Sequence, residues 1–151
     1  MELNYREATI EDADMLVDIY NASFYKDYIR YGNCPGYGKT KEMMENSILS
    51  YSKLIILCDK KAVGVISCEK IENETYEVGC LCVIPEYQGL GIGTAAFKFA
   101  MSYYNDGKGF TLVTPADKEE NVRFYTQKCG FHIVSNEMDG KTKLVRFYRD
   151  R

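Results

Sequence analysis

Residues 83–101 read VIPEYQGLGIGTAAFKFAM, in which Gly89, Gly91 and Gly93 separate a β-type run from an apolar stretch with helical spacing. Glycine has no Cβ and adopts positive φ readily, so it lets other groups approach the backbone. The first amides of a helix lack intrahelical acceptors and lie at the positive end of the helix dipole. The stretch therefore predicts a phosphate cradle between a strand and a helix. The alternative interpretation is a tight structural turn.

The apolar periodicity on both sides of this stretch predicts the element order βααβββαβαββ. Thr9 and Asp12 resemble a capping box that opens the first helix, and Asn121 opens a short late helix that stops at Gly130. Residues 27–40, DYIRYGNCPGYGKT, predict a loop because they are rich in tyrosine, glycine and proline. Strands alternating with helices in this order predict a single mixed α/β layer structure.

Length and composition predict one globular domain over residues 1–151, with 46% hydrophobic and 27% charged residues. The formal net charge of −3 gives no field that would gather nucleic acid, so we expect no such partner. The first residues, MELNYREATIED, do not resemble a signal peptide, and the chain has no run of about 18 apolar residues. We expect a cytoplasmic protein without a membrane partner.

The six cysteines predict buried, reduced thiols rather than a disulfide framework, because four of them lie inside apolar strand-like runs. The chain has one histidine, His132, and a single CxC pair at Cys80 and Cys82, which does not match zinc-ligand spacing. We therefore expect no metal. A covalent mechanism through Cys82 is not favoured, because no activating histidine lies near it in sequence.

Two common nucleotide-binding motifs do not fit the glycine stretch. A P-loop requires Lys and then Ser or Thr after its last glycine, whereas Gly93 is followed by Thr94 and Ala95. A dinucleotide fingerprint requires a different glycine spacing and a parallel βαβ unit, whereas antiparallel strands precede this stretch.

The segment YEVGCLCVIPEYQGLGIGTAAFKFAM, residues 76–101, resembles the Gcn5-related N-acetyltransferases (GNAT). Their signature (Q/R)xxGx(G/A) follows a strand and is matched by residues 88–93; Phe124-Tyr125 and Cys129-Gly130-Phe131 are further matches. The element order is also similar, so the resemblance covers essentially the whole chain. It implies an α/β (α+β) single-domain fold in which helices flank a mixed, mostly antiparallel sheet with splayed central strands. It also implies an N-acetyltransferase that moves an acetyl group from acetyl-CoA directly to a primary amine in a ternary complex.

The resemblance assigns most of the coenzyme contacts to the backbone. Its pyrophosphate would bind the amides of the glycine stretch, namely Gly89, Leu90, Gly91, Ile92, Gly93 and Thr94, with Gln88 at the entrance. Main-chain groups of Leu81, Cys82 and Val83 would contact the pantetheine arm. Asn121 resembles a family asparagine that touches the coenzyme, although it is also a good N-cap on its own account.

Two side chains are candidates for proton transfer by the same resemblance. Glu77 matches a strand position where some members carry a glutamate base, and its apolar neighbours in sequence would raise its pKa. The alternative is a solvent-facing residue. Tyr125 is the candidate acid, but it lies five residues before Gly130, whereas four is the usual spacing. One extra residue turns a helical side chain by about 100°, so a packed aromatic is the alternative role.

The acceptor amine would lie beside the tyrosine-rich stretch, with Tyr28 and Tyr31 as candidate substrate-binding residues. The same aromatics could instead only pack this stretch onto the domain. The resemblance implies a small-molecule or peptide amine but does not choose among them. A non-catalytic acyl-CoA-binding or regulatory domain is the competing function, and sheet edges are compatible with a homodimer.

Overall fold

The computed structural model describes residues 1–151. It confirms the predicted order of helices and strands. The elements are β1 (Leu3–Glu7), α1 (Ala13–Tyr31), α2 (Lys41–Ser50), β2 (Lys53–Cys58), β3 (Lys61–Lys70), β4 (Thr75–Val83), α3 (Ile92–Tyr103), β5 (Gly109–Pro115), α4 (Glu119–Arg123), a π-helical turn (Phe124–Lys128), β6 (His132–Asp139) and β7 (Thr142–Asp150). Short 3₁₀ turns lie at Ile10–Asp12, Glu72–Glu74 and Pro85–Tyr87.

The seven strands form one mostly antiparallel sheet, flanked by helices, in the order β1-β2-β3-β4-β5-β7-β6. The fold class is therefore confirmed. The parallel pairing of β4 with β5 spans three residue pairs, from Thr75–Gly109 to Glu77–Thr111, although β4 continues to Val83. A short pairing of this kind agrees with central strands that diverge after Glu77.

The chain divides into two compact units. The first comprises residues 1–68 and 80–96. Strands β2 and β3 are largely apolar runs without polar alternation, and most of their residues are buried. They form a hairpin whose two turn residues, Asp59 and Lys60, both have positive φ, as a two-residue type I′ turn requires. Leu16 of α1 and Met44 of α2 are also fully buried, so both helices contribute to the core of this unit.

The second unit comprises residues 69–79 and 97–151. Strands β5, β7 and β6 form consecutive antiparallel pairs in it. Its core is aromatic: the Phe97 ring lies 5.6 Å from that of Phe110 and 5.1 Å from that of Phe131, measured between centroids. Phe147 of β7 is fully buried as well.

The predicted loop over residues 27–40 is wrong in its first part, because α1 continues through Tyr31. The helix ends only at Gly32, which has φ of 70° and whose amide donates to the Tyr28 carbonyl at 2.8 Å. Tyrosines and charged residues are tolerated in a helix, and the first residue suited to a left-handed stop is this glycine. Amino-acid composition therefore placed the helix end several residues too early.

The predicted capping box is present at Thr9, where it opens the 3₁₀ turn Ile10–Asp12 that leads into α1 at Ala13. The Thr9 amide donates to Asp12 Oδ2 at 2.8 Å, which closes the capping box. Arg6 of β1 holds the same carboxylate by two hydrogen bonds, of 2.9 and 2.8 Å. None of the helices combines the length and the apolar character that crossing a membrane would require.

Candidate active site

The glycine stretch lies at the junction that the sequence predicted, with α3 beginning at Ile92. Gly89 and Gly91 have φ of 77° and 83°, and a Cβ at either would have no heavy atom within 4 Å. Both therefore have open space beside a left-handed backbone. Gly93 differs, because it belongs to the first turn of α3 and has no positive φ.

The amides at the start of α3 are available as donors. The first helical hydrogen bond runs from Ala95 N to Gly91 O at 3.1 Å, so residues 92–94 precede the first intrahelical donor. An exposed backbone with several such amides and no Cβ atoms in front of it suits an anionic group.

The loop before the glycine stretch is tied to the end of β4 and to β3. Gln88 Nε2 donates to the Val83 carbonyl at 2.8 Å, and the Ile84 amide donates to the Val63 carbonyl at 2.9 Å. Gln88 therefore fixes the entrance of the stretch, and the Val83 carbonyl already has a partner.

Gly64 of β3 lies close to the end of β4, and sequence analysis did not single it out. A Cβ on this residue would lie 2.3 Å from the Cys82 carbonyl oxygen and 3.2 Å from Val83 Cα. Any side chain there would displace the end of β4, which leads into the glycine stretch. A glycine within an apolar strand signals a close backbone approach, but not which backbone approaches.

Glu77 does not have the apolar surroundings that its neighbours in sequence predicted. Its side chain is 34% exposed, and Oε2 lies 3.2 Å from Arg146 Nη1. The expected burial is wrong because Glu77 and its apolar neighbours Tyr76 and Val78 point to opposite faces of β4. Sequence could not identify the partner, because Arg146 lies on β7, 69 residues away.

Arg146 holds two glutamates at once. Its Nε and Nη2 donate to the carboxylate of Glu137 on β6, and its Nη1 also donates to Thr111 Oγ1 at 3.0 Å. The hydrogen bonds to Glu137 and then to Glu77 raise the pKa of Arg146, and Arg146 lowers the pKa of Glu137. The result is a partly exposed network with one fixed cation and two carboxylates.

The π-helical turn resolves the unusual spacing of Tyr125. Phe124–Lys128 form one wide turn before Cys129, and Gly130 follows with φ of 75°. The Phe131 amide closes the end by donating to the Tyr125 carbonyl at 3.0 Å, across six residues where a standard helix stop spans five. The additional residue is thus accommodated in the wide turn.

The Tyr125 side chain is buried, with 8% of it exposed. Its ring packs edge-on against Phe131 at 5.8 Å and contacts Phe147 at 5.9 Å. The ring position is therefore fixed by the aromatic core of the second unit, which is the predicted packing role. Packing of the ring is compatible with a further role for the hydroxyl.

Asn121 does not cap the late helix, contrary to the prediction. The helix α4 begins at Glu119 with Lys118 in the N-cap position, so Asn121 lies within it. Its Nδ2 donates to Thr114 Oγ1 at 3.1 Å and ties α4 to the end of β5. The sequence favoured Asn121 because of the N-cap preference of asparagine, whereas the helix begins two residues earlier.

The candidate substrate residues lie on the last turns of α1. Tyr28 stacks on Tyr37 with ring centroids 4.4 Å apart, and the Arg30 guanidinium lies 5.1 Å from the centre of the Tyr31 ring. Tyr28 is 40% exposed, so it retains an accessible surface. The stacking supports the predicted packing role, in which these aromatics hold residues 32–40 against the helix.

The candidate residues are distributed between the two units. The first unit contains the glycine stretch, Gln88 and residues 81–83, and the second contains Glu77, Tyr125 and Asn121. Arg146 was missed because its contact joins strands that are distant in sequence, and Gly64 because the sequence does not show which backbone approaches it.

The chain matches the profile of the Acetyltransferase (GNAT) family over residues 13–131. The uncharacterized protein YrkN of Bacillus subtilis (strain 168) is 40% identical over 81 residues, which are 52% of this chain and 43% of that protein. The chain therefore aligns with less than half the length of this curated relative.

Solved structures match over nearly the whole chain. The paiA N-acetyltransferase from Thermoplasma acidophilum in complex with coenzyme A has a TM-score of 0.77 at 21% identity, covering 97% of this chain and 98% of that one. Spermidine N-acetyltransferase from Vibrio cholerae in complex with CoA and spermine has a TM-score of 0.78 at 16% identity, covering 98% and 95%. At such identities the likeness shows a common fold.

Because the family profile spans most of the residues, the chain belongs to the acetyltransferase (GNAT) family of acyltransferases.

Proposed function

We propose that the chain acts as one N-acetyltransferase domain that moves an acetyl group from acetyl-CoA to a primary amine. The observation that carries this proposal is the glycine stretch, whose exposed, positive-φ backbone opens into the start of α3. Membership of the family and the fold shared with coenzyme A complexes support it. The pyrophosphate of the coenzyme would accept hydrogen bonds from amides of residues 89–94.

The pantetheine arm is proposed to lie along β4. Leu81, Cys82 and Val83 follow the three residues that pair with β5, and they precede the loop that Gln88 ties down. An extended arm can pair with exposed strand amides as an added strand would. The Val83 carbonyl accepts from Gln88, so the remaining main-chain groups of this segment would make the contacts.

Glu77 is the proposed base and Tyr125 the proposed acid. A primary amine must lose a proton as it attacks the thioester, and the departing thiolate must gain one. Glu77 is partly exposed and is held by Arg146, so its carboxylate can accept a proton through an intervening water. Tyr125 has a fixed ring, so its hydroxyl is held in one position.

Tyr28 and Tyr31 are the proposed contacts for the acceptor. Exposed tyrosine rings offer apolar area together with hydroxyl groups, which suits the chain of a small-molecule or peptide amine. The spermine complex of the structural neighbour makes polyamines a sensible first class to screen.

Calorimetric titration with CoA tests the cradle in a matched pair of variants. Gly91→Glu places a negative side chain in front of the cradle, whereas Gly140→Glu adds the same charge to the β6–β7 turn. Both glycines have positive φ, 83° and 61°, and open space for a Cβ, so the backbone strain is matched. We expect Gly91→Glu to weaken CoA binding at least about a hundredfold, and Gly140→Glu to bind as the wild type does.

Equal CoA affinity in both variants and the wild type would refute the proposed cradle. Binding of CoA without release of thiol in any amine screen would favour the competing function of a non-catalytic acyl-CoA-binding domain.

A further inference from the structure

A buried lysine in the first unit has no part in the proposed function. Lys53, at the start of β2, is only 6% exposed, and its Nζ donates to the hydroxyl of Tyr20 on α1 at 2.7 Å. Tyr20 is 3% exposed, so the hydrogen bond itself is buried. An ammonium has three donors, and no carboxylate forms an ion pair with this one. Lys53 is therefore a buried cation that lacks a counter-ion.

An unpaired ammonium in a buried position is unfavourable for folding. Burial lowers the pKa of Lys53, which reflects the cost of removing its charge from water. An apolar side chain of similar length would fill the same space without that cost. Buried charges without a partner in the free protein are typical of functional sites, where a ligand supplies the partner.

A second donor without an acceptor lies on the same face of α1. Ser23 follows Tyr20 by three residues, which places the two side chains on one side of the helix. The Ser23 Oγ is buried, and it lies beside the Cys82 thiol without the geometry of a hydrogen bond. A thiol is a weak acceptor, whereas a carboxylate accepts from several donors at once. The ammonium and the hydroxyl therefore indicate an anionic ligand.

The strand register relates Lys53 to the proposed path of the pantetheine arm. Lys53 pairs with Ser67 of β3, and the Ile84 amide of β4 donates to the Val63 carbonyl of β3. This antiparallel register brings Ser67 opposite the part of β4 that comes just before Leu81. Adjacent strands lie about 4.8 Å apart, so the backbone of Lys53 lies about 10 Å from that of β4. A compact molecule could thus contact both the ammonium and an acyl group held beside β4.

An aromatic stripe on α1 joins Lys53 to the proposed acceptor residues. Tyr20, Phe24 and Tyr28 lie at intervals of four residues, so they share one face of the helix. The ring centroids of Tyr20 and Phe24 are 5.8 Å apart, and the half-exposed Tyr28 marks the accessible end. The stripe is about 12 Å long. An acceptor that enters beside Tyr28 would approach the ammonium along apolar rings.

We propose that Lys53 and Ser23 bind a carboxylate of the acceptor, so that the substrate is an amine that also carries a carboxylate, as an amino acid does. The inference rests on the proposed function in one respect, since the acceptor is the molecule that takes the acetyl group. The Tyr20 hydroxyl holds the ammonium in place. A polyamine would bring further positive charge towards Lys53, so the site disfavours that class.

Acceptor pairs that differ only in the carboxylate test the site. Glycine, β-alanine and 4-aminobutyrate are compared with their carboxamides by the release of thiol from acetyl-CoA, and spermidine is the cationic reference. We expect kcat/KM for the best acid to exceed that of its amide at least about thirtyfold, mainly through KM. The peptides Ala-Asp amide and Ala-Asn amide form a further pair, which shows whether an acidic peptide N-terminus is preferred to a free amino acid.

Lys53→Met removes the charge and keeps an unbranched side chain. It should lower kcat/KM for the best acid about thirtyfold and leave that for the amide within about threefold. Lys26→Met is the matched control, because it makes the same change at an exposed position of α1, and it should keep the wild-type preference. Ser23→Ala should reduce the preference about fivefold, since one donor is lost.

Thermal melts at constant ionic strength give a readout that needs neither coenzyme nor turnover. The three acids should raise the Tm of the wild type in proportion to their preference as acceptors, and they should not raise that of Lys53→Met. Butylamine, which has an amine but no carboxylate, should raise neither.

The two proposals fail in distinguishable ways. Equal kcat/KM for acid and amide in the wild type, or a preference for acids that Lys53→Met retains, would overturn the carboxylate site alone, because turnover itself supports the proposed function. A rise in Tm that depends on Lys53, without turnover of any amine, would support the carboxylate site and count against the proposed function. Neither turnover nor a rise in Tm would count against both.

Discussion

The chemistry available to Glu77 depends on one residue that lies far from it in sequence. Arg146 holds Glu77 with Nη1 and Glu137 with its other two nitrogens, so the two carboxylates share one cation but differ in geometry. Glu137 has the bidentate contact, which is the stronger arrangement. Glu77 has the single contact, which leaves one carboxylate oxygen without a bond to the guanidinium.

Glu77→Gln should lower kcat about a hundredfold and leave the affinity for CoA nearly unchanged. The amide oxygen can still accept from Arg146 Nη1, so the network persists while the proton acceptor is lost. Steady-state kinetics with a responsive amine, as a function of pH, is the measurement. The limb of the pH–rate profile that reports the base should also disappear.

Glu137→Gln is the matched control, because it makes the same isosteric change on the other carboxylate of Arg146. Its kcat should stay within about threefold of the wild-type value. If both variants lose activity equally, or if the profile of Glu77→Gln keeps its shape, Glu77 is not the base.

At the scale of elements, the start of α1 gives a prediction about pH. The hydrogen bonds from Arg6 and then from the Thr9 amide lower the pKa of Asp12 to about 2. The unfolded value is about 3.9. A lowered pKa means that the stabilisation is present above the unfolded pKa and is lost as pH falls through the folded pKa. Asp12→Asn should thus be less stable than wild type at pH 7, by about 1 kcal/mol.

Urea denaturation across the acid range measures this difference, which should shrink progressively below about pH 5 and approach zero only near pH 1, below both pKa values. Asp14→Asn is the control, since Asp14 forms only an exposed ion pair of 3.5 Å with Lys41. It should change stability by less than about 0.5 kcal/mol. A pH-independent deficit in Asp12→Asn would mean that the ion pair with Arg6 contributes nothing.

The π-helical turn predicts that a deletion is tolerated at one position and not at another. Removing exposed Gln127 would shorten the Phe131-to-Tyr125 closure to the five-residue span of a standard helix stop. Removing exposed Arg123, before Tyr125, would instead rotate Tyr125 by about 100° relative to the preceding turns. We expect Tm within about 4 °C of wild type for the first deletion, and a loss of about 8 °C or more for the second. Thermal melts that rank the two deletions the other way would contradict this account.

Element order and the position of the glycine stretch between β4 and α3 were predictable because each depends on local sequence. Apolar periodicity marks the strands, and alternating glycines mark the junction before α3. The end of α1 was not predictable from composition, since Gly32 alone stops the helix. Contacts such as Arg146 to Glu77 and Lys53 to Tyr20 depend on which strands and helices become neighbours. The motif resemblance identified the glycines and the candidates Glu77 and Tyr125, whereas it did not identify Arg146 as the partner of Glu77.

For the whole molecule, the proposed cradle predicts which backbone amides should be protected from hydrogen exchange when CoA binds. Amide hydrogen exchange with CoA should slow at residues 89–94 and 81–83, which belong to the first unit, by about tenfold or more beyond any general stabilisation. The β6–β7 hairpin of the second unit provides the internal reference, since none of its residues is proposed to bind the coenzyme. NAD is the control ligand, because it offers a diphosphate without a pantetheine arm. Protection spread evenly over both units, or equal protection by NAD, would show that the glycine stretch is not a specific site for the coenzyme.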